Sequence, residues 1–362
     1  VIRHLHPAAW WVWALALAAS ASLTTNPVLL AAHILVLVAV VLARRDGSPW
    51  GRAFRLYALL GALIVVTRLI LHVLVGLKFG EIPLLPLPAA NLPSWAAGIE
   101  IGGTVYLEGA LGAALEGARL ATMILAIGAA NALASPKRLL KVFPAALHEI
   151  GAALVVAVTV APQLAESVQR VARARSLRGE GSRGLRSFRA IAMPVLQDTL
   201  DRSLALAAAM DGRGYGRRGG PRHTGTSVLT LLGLLGACVG LYGLLDTTSP
   251  AALGLPVLLV GLASCVGGIW AGGRAVPRTI YRRDPWGPPE WLTCLCGLAA
   301  LAGSLITLRT DPAAMSMPLL PLGVPGIPWI VLLGLLLAAV PALATPVPPL
   351  ASVRSSQAVR AG

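Results

Sequence analysis

The chain has 362 residues, 56% of them hydrophobic and only 12% charged, whereas an ordinary soluble domain carries about 25% charged residues. That balance excludes a soluble globular domain and predicts a polytopic membrane protein. The net charge of +15 does not point to nucleic acid, because the Arg-rich stretch has few aromatics for base stacking and no reading motif; by the positive-inside rule it marks loops retained in the cytoplasm.

From the N-terminus, the apolar run Ala8 to Leu42 is divided by Thr24-Thr25-Asn26-Pro27, and a Pro there cannot continue a helix but suits the first turn of a new one. The run predicts two short crossings, with Trp10, Trp11 and Trp13 forming an interfacial aromatic belt. A signal peptide, suggested by Arg3 and Ala19-Ser20-Ala21, fits less well because the apolar pattern resumes at once at Pro27. Arg44, Arg45, Arg52 and Arg55 put the next loop in the cytoplasm. Phe54 to Leu77 forms the third crossing, Pro-rich Lys78 to Gly103 an external loop, and Val105 to Ala134 the fourth crossing. A bilayer needs about 20 apolar residues per crossing.

Lys137, Arg138 and Lys141 are again cytoplasmic, so the apolar run Phe143 to Ala165, basic on both flanks, cannot cross once. Leu154, Val158, Ala161, Ala165, Val168 and Ala172 recur at helical spacing while Glu166, Arg170 and Arg173 gather elsewhere. This predicts an amphipathic helix along the cytoplasmic face, ending near Leu177. After the loop Gly179 to Arg186, Met193-Pro194 predicts the start of a second helix, with the stripe Leu196, Leu200, Leu204 and Ala208 and a stop at Gly212 to Gly220. Twelve Arg and five acidic residues lie between Ala165 and His223. Each helix ends on Arg-Gly, Arg178-Gly179 and Arg213-Gly214, where the dipole and unpaired carbonyls favour a cation by about 0.3 to 1 kcal/mol. One such end needs no other explanation. Two alike, 35 residues apart, predict a docking surface.

Val228 to Leu245, Leu253 to Gly272, Trp291 to Leu308 and Ile327 to Leu343 supply four more crossings. Their loops alternate, with Asp246 to Ala252 free of basic residues and Arg278, Arg282 and Arg283 inside. The predicted fold class is all-α: a polytopic helical membrane protein of about eight transmembrane helices, both termini cytoplasmic, plus two long helices on the cytoplasmic face. Four regions follow: 1–134 N-terminal crossings, 135–222 the two Arg-Gly helices, 223–345 C-terminal crossings and 346–362 a cytoplasmic tail. Gly236/Gly240 and Gly268/Gly272 suit close helix packing, and Cys238, Cys265, Cys294 and Cys296 are read as small buried hydrophobes.

Charges inside crossings cost about 2.5 to 3.5 kcal/mol each at a helix centre. Arg68 and His72 share one face of the third crossing, and Glu108, Glu116 and Arg119 lie in the fourth. An interhelical pair such as Arg68 with Glu116 accounts for them; the alternative is a substrate path in a self-contained secondary transporter or channel using Arg68 and Glu116. A lipid-recruiting membrane anchor built on the Arg cluster is a third reading. The sequence carries no G-x-x-x-x-G-K-[ST] loop, no Ser/His/Asp or Cys/His arrangement and no His/Cys cluster, so no catalytic residue, cofactor or metal is expected.

Several segments together resemble the T component, the transmembrane coupling subunit, of energy-coupling factor (ECF) transporters, including the cobalt-transport type. They are Asn26-Pro27, Ala134-Ser135-Pro136, Ala161-Pro162-Gln163, Ala174-Arg175-Ser176-Leu177-Arg178-Gly179, Ala209-Met210-Asp211-Gly212-Arg213-Gly214-Tyr215 and Tyr281-Arg282-Arg283-Asp284-Pro285. The resemblance implies a non-catalytic subunit in the cell membrane that passes the stroke of two cytoplasmic ABC ATPase subunits to a substrate-binding membrane partner, the S component. The cargo implied is a vitamin or a transition-metal ion. It implies ATPase docking through Arg178, Gly179, Arg213 and Gly214 with Ala174 and Ala209, and S-component contact through Leu154, Val158, Leu196, Leu200 and Leu204. The family signature is Ala-Arg-Gly, so Leu177 and Gly212 depart from it.

Overall fold

A computed structural model describes residues 5–45, 49–75, 79–88, 90–91, 100–134, 136–139, 148–178, 185–214, 224–246, 250, 253–274 and 285–346. In chain order the helices are α1 (Pro7–Ser22), α2 (Pro27–Arg44), α3 (Pro49–Val75), α4 (Leu107–Leu133), α5 (Pro136–Leu139), α6 (His148–Leu177) and α7 (Leu185–Gly212). They continue with α8 (Thr224–Leu245), α9 (Leu255–Arg274), α10 (Pro288–Thr310), α11 (Trp329–Ala339) and α12 (Pro341–Ala344). Six of them, α2, α3, α4, α8, α9 and α10, are long and apolar enough to cross a membrane. The other two predicted crossings are shorter, 16 residues in α1 and 11 in α11.

Contacts divide the chain into two compact units, residues 1–139 with 282–362, and residues 140–281. In the first, α1 packs between α4 and α10, and α2 lies against α4 and α11. The Trp belt is corrected here: Trp13 is fully buried and Trp10 5% exposed. Trp13 turns inward because its indole N–H finds an acceptor there, donating to the Ala338 carbonyl at 3.0 Å. The Asn26-Pro27 step makes the corner expected of it. Pro27 opens α2, while the Asn26 carboxamide oxygen accepts from Val28 N–H at 3.0 Å. The amide nitrogen of Asn26 donates to the carbonyls of Ala314 and Gly326 at 2.9 and 2.8 Å, so a buried cap also staples α2 to the segment between α10 and α11.

Ser20 joins three helices in the same core. Its hydroxyl lies 2.8 Å from His33 Nε2 and 2.7 Å from Ser304 Oγ, and His33 Nδ1 lies 2.8 Å from the Leu29 carbonyl. The segment Lys78 to Gly103, read as a Pro-rich loop, instead contributes to two short antiparallel ladders. Strand β1 (Pro83–Pro86) pairs with β4 (Thr104–Tyr106), and β2 (Ala90–Asn91) with β3 (Glu100–Ile101).

The second unit holds two helix pairs, α6 with α7 and α8 with α9. Helices α8 and α9 meet through glycine: Gly261 sits against the backbone of Ala237, where no side chain would fit, and Gly236 faces Gly261. Close backbone approach of this kind compensates for the weak hydrophobic drive between helices in lipid. The start of α7 departs from the sequence reading. Pro194 lies inside the helix rather than at its first turn. An interior Pro leaves the carbonyl four residues back without its helical donor; that carbonyl, of Ala190, accepts instead from Arg175 Nη1 of α6 at 3.3 Å.

Candidate functional site

The two Arg-Gly ends are built alike. Helix α6 closes at Leu177 and α7 at Gly212, and the next residue in each case is the arginine. The Arg178 N–H donates to the Arg175 carbonyl at 3.0 Å and the Arg213 N–H to the Met210 carbonyl at 3.1 Å. Each bond spans three residues, tightening the last turn and satisfying one of the carbonyls a helix end leaves open. Gly214 follows with φ +79, a left-handed conformation that favours glycine. Gly179 lies outside the described residues, as do the loop 180–184 and Tyr215.

Both arginines are exposed, as are Ala174 and Ala209. An open groove of about 480 Å³ runs along α6 over Glu166, Arg170, Arg173, Ala174 and Leu177. Leu177 is 88% exposed, an unfavourable place for a large apolar side chain in water. The other departure from the signature is sterically free, since a Cβ on Gly212 would meet nothing within 4 Å.

The polar faces of α6 and α7 face each other. Ser167 Oγ donates to Asp198 at 2.8 Å, and Arg202 Nε donates to the same carboxylate at 3.0 Å. The hydrogen bond from Ser167, then that from Arg202, holds the Asp198 carboxyl below the usual carboxylate range, and Arg170 adds to the effect. Leu196, Leu200 and Leu204 are left exposed on α7, as is Leu154 on α6; Val158 is half-buried. Sequence reasoning missed Phe188, 72% exposed, which extends the four-residue spacing of that stripe backwards. A helix started at Pro194 leaves it out, whereas α7 begins at Leu185. Residues 143–147, the first part of the predicted partner-facing run, lie outside the described residues.

The intramembrane charges separate. Arg68 of α3 and Glu116 of α4 form an ion pair, each side chain close to half exposed, which neutralises both within helices that qualify as membrane spans. Arg119 is half-buried, three residues further along α4. Glu108 ties the start of α4 to the segment leading into β1, accepting from Ile82 N–H at 3.2 Å. Among the described residues no group of three or more His, Cys, Asp or Glu gathers as a metal site.

Six apolar membrane-length helices define a multi-pass helical membrane protein, and two further helices, α6 and α7, end on exposed arginines. The family model of CbiQ, the cobalt transport protein, matches residues 1–224, and the chain belongs to that family. It is thus a membrane transport component. No curated protein matches the chain. The match ends as α8 begins, yet α10 and α11 complete the core around α1 and α2.

Proposed function

We propose that this chain is the transmembrane coupling subunit of an ECF-type ABC importer, taking up a vitamin or transition-metal ion with no catalysis of its own. Two cytoplasmic ATPase subunits would receive Arg178 and Arg213, and their closure on ATP would shift α6 and α7. The exposed apolar residues Leu154, Leu196, Leu200 and Leu204, with Val158, would carry that shift to the S component, a membrane protein holding the cargo. In this reading both termini face the cytoplasm.

The observation that carries the proposal is the identical closure of two exposed helix ends on arginine. A guanidinium presents five donors in a fixed fork, suited to a partner's carboxylate and carbonyls at the end of a narrow groove. The Arg68–Glu116 pair favours no substrate path, since each charge satisfies the other.

The test is affinity purification of the tagged full chain from its native membrane in mild detergent, with partners identified by mass spectrometry. ATPase subunits and a small membrane protein should co-purify. Arg178→Glu and Arg213→Glu should each insert normally yet lose the ATPases, since breaking one side of a buried charged contact costs about 2 to 5 kcal/mol, roughly thirtyfold or more in affinity. Normal transport by both variants would overturn the assignment.

A further inference from the structure

Helices α6 and α7 touch through two polar contacts that keep step with each other. Ser167 bonds Asp198, and eight residues further along α6 Arg175 bonds the Ala190 carbonyl, eight residues back along α7. The two helices therefore cross antiparallel. Arg178 lies eleven residues beyond Ser167, and Arg213 fifteen beyond Asp198 in the opposite direction. At 1.5 Å per residue the tips stand up to about 39 Å apart.

Pro194 denies the Ala190 carbonyl its usual intrahelical donor, and Arg175 donates to that carbonyl. With an ordinary residue at 194, the backbone N–H would hold the Ala190 carbonyl inside α7, as in any helix. Pro supplies no N–H and leaves that oxygen open toward α6. The guanidinium of Arg175, half-buried one turn before the tip, donates in its place. A charged donor makes a stronger bond than a neutral amide, and here the bond runs between helices rather than within one.

We propose that Arg175 is a positioning residue: it supplies the hydrogen bond that Pro194 cannot, and by doing so fixes the offset between α6 and α7 so that Arg178 and Arg213 keep one spacing. The Ser167–Asp198 contact sets the second point, and two points define a rigid crossing. The proposal rests on the coupling function only for what the spacing serves. Its geometry stands apart from any partner.

Two measurements on the full chain in nanodiscs, without ATPases, test it. In a background with the four native cysteines replaced by alanine, spin labels at Ser176→Cys and Ala205→Cys report the spacing by pulsed EPR. The expected result is one narrow distance in the parent and a clearly broadened one in Arg175→Ala, with Arg175→Lys between them. Hydrogen exchange then tests the cause. Arg175→Ala should speed amide exchange around residues 188–194 by about tenfold, the size of one lost hydrogen bond, when residue 194 is Pro. It should do so less than about twofold in the Pro194→Ala background, where the backbone supplies its own donor. An unchanged distance width, or equal acceleration in both backgrounds, would overturn the proposal. Loss of ATPase docking in Arg178→Glu and Arg213→Glu reports on the coupling function separately, so failure of one leaves the other readable.

Discussion

Arg178 and Arg213 close their helices with the same bond, each N–H donating to the carbonyl three residues earlier, Arg175 in one case and Met210 in the other. The sequence departs from the Ala-Arg-Gly signature beside both, yet the backbone turn is repeated. What a docking groove would read is therefore the cation and its turn.

The turn at Gly214 is expected to be the sensitive one. Its φ of +79 would cost an alanine roughly 1 to 2 kcal/mol. Gly214→Ala should fray the last turn of α7, seen as faster amide exchange at residues 210–214. By contrast Gly212→Ala, with open space around the new methyl, should be neutral or stabilise by up to about 1 kcal/mol. Equal effects of the two substitutions would refute this account of the end.

Asn26 is expected to dominate the stability of the first unit. Asn26→Ala removes a helix cap, about 1 kcal/mol, and strips the Ala314 and Gly326 carbonyls of a donor, at about 1 to 3 kcal/mol each. A loss of about 3 kcal/mol or more is expected in detergent unfolding followed by Trp fluorescence. Asn26→Asp keeps the cap but turns a negative charge toward both carbonyls, so it should rescue nothing.

Arg68 and Glu116 should behave as a pair. Arg68→Met alone leaves a carboxylate in a membrane-spanning helix, and Glu116→Gln alone leaves the guanidinium; each should lower yield and stability, by up to about 2.5 to 3.5 kcal/mol on insertion scales. The double variant Arg68→Met with Glu116→Met should recover most of that loss and keep transport. Loss of transport by a stable double variant would restore the substrate-path reading.

Acid should loosen the crossing of α6 and α7. The Asp198 carboxyl sits below its ordinary value because Ser167 and Arg202 hydrogen-bond its ionised form. Its contribution is therefore present above about pH 4 and falls away as pH drops through the lowered value. The EPR distance between α6 and α7 should broaden as pH is lowered from neutral through the depressed Asp198 value. In Asp198→Asn it should start broader and change little; an identical pH response in that variant would remove Asp198 from the explanation.

Local chemistry made much of this molecule readable. Apolar runs located the long helices, and Asn26-Pro27 marked a cap and first turn because both act on adjacent residues. Arg178 and Arg213 stood out because a helix end states its cation preference within a few positions. The rest lay in distant partners. Pro194 looks like a helix start until a donor from α6 is known to hold Ala190. Trp13 looks interfacial until Ala338, 325 residues away, is seen to accept its N–H. Phe188 falls outside the apolar stripe when the helix is started at Pro194, nine residues after its first residue, Leu185.

The bonds closing the N-terminal corner reach very far along the chain: Ser20 to Ser304, Asn26 to Gly326 and Trp13 to Ala338, separations of 284, 300 and 325 residues. Translation at 5 to 20 residues per second spends about 15 to 65 s between making the two sides of each bond. Through that interval the Trp13 indole N–H and the Asn26 side-chain N–H groups of the first hairpin lack the acceptors they find in the finished chain. Nascent chains arrested before residue 300 should accordingly be cleared by membrane proteases faster than finished ones, making the growing polypeptide the vulnerable form of this protein.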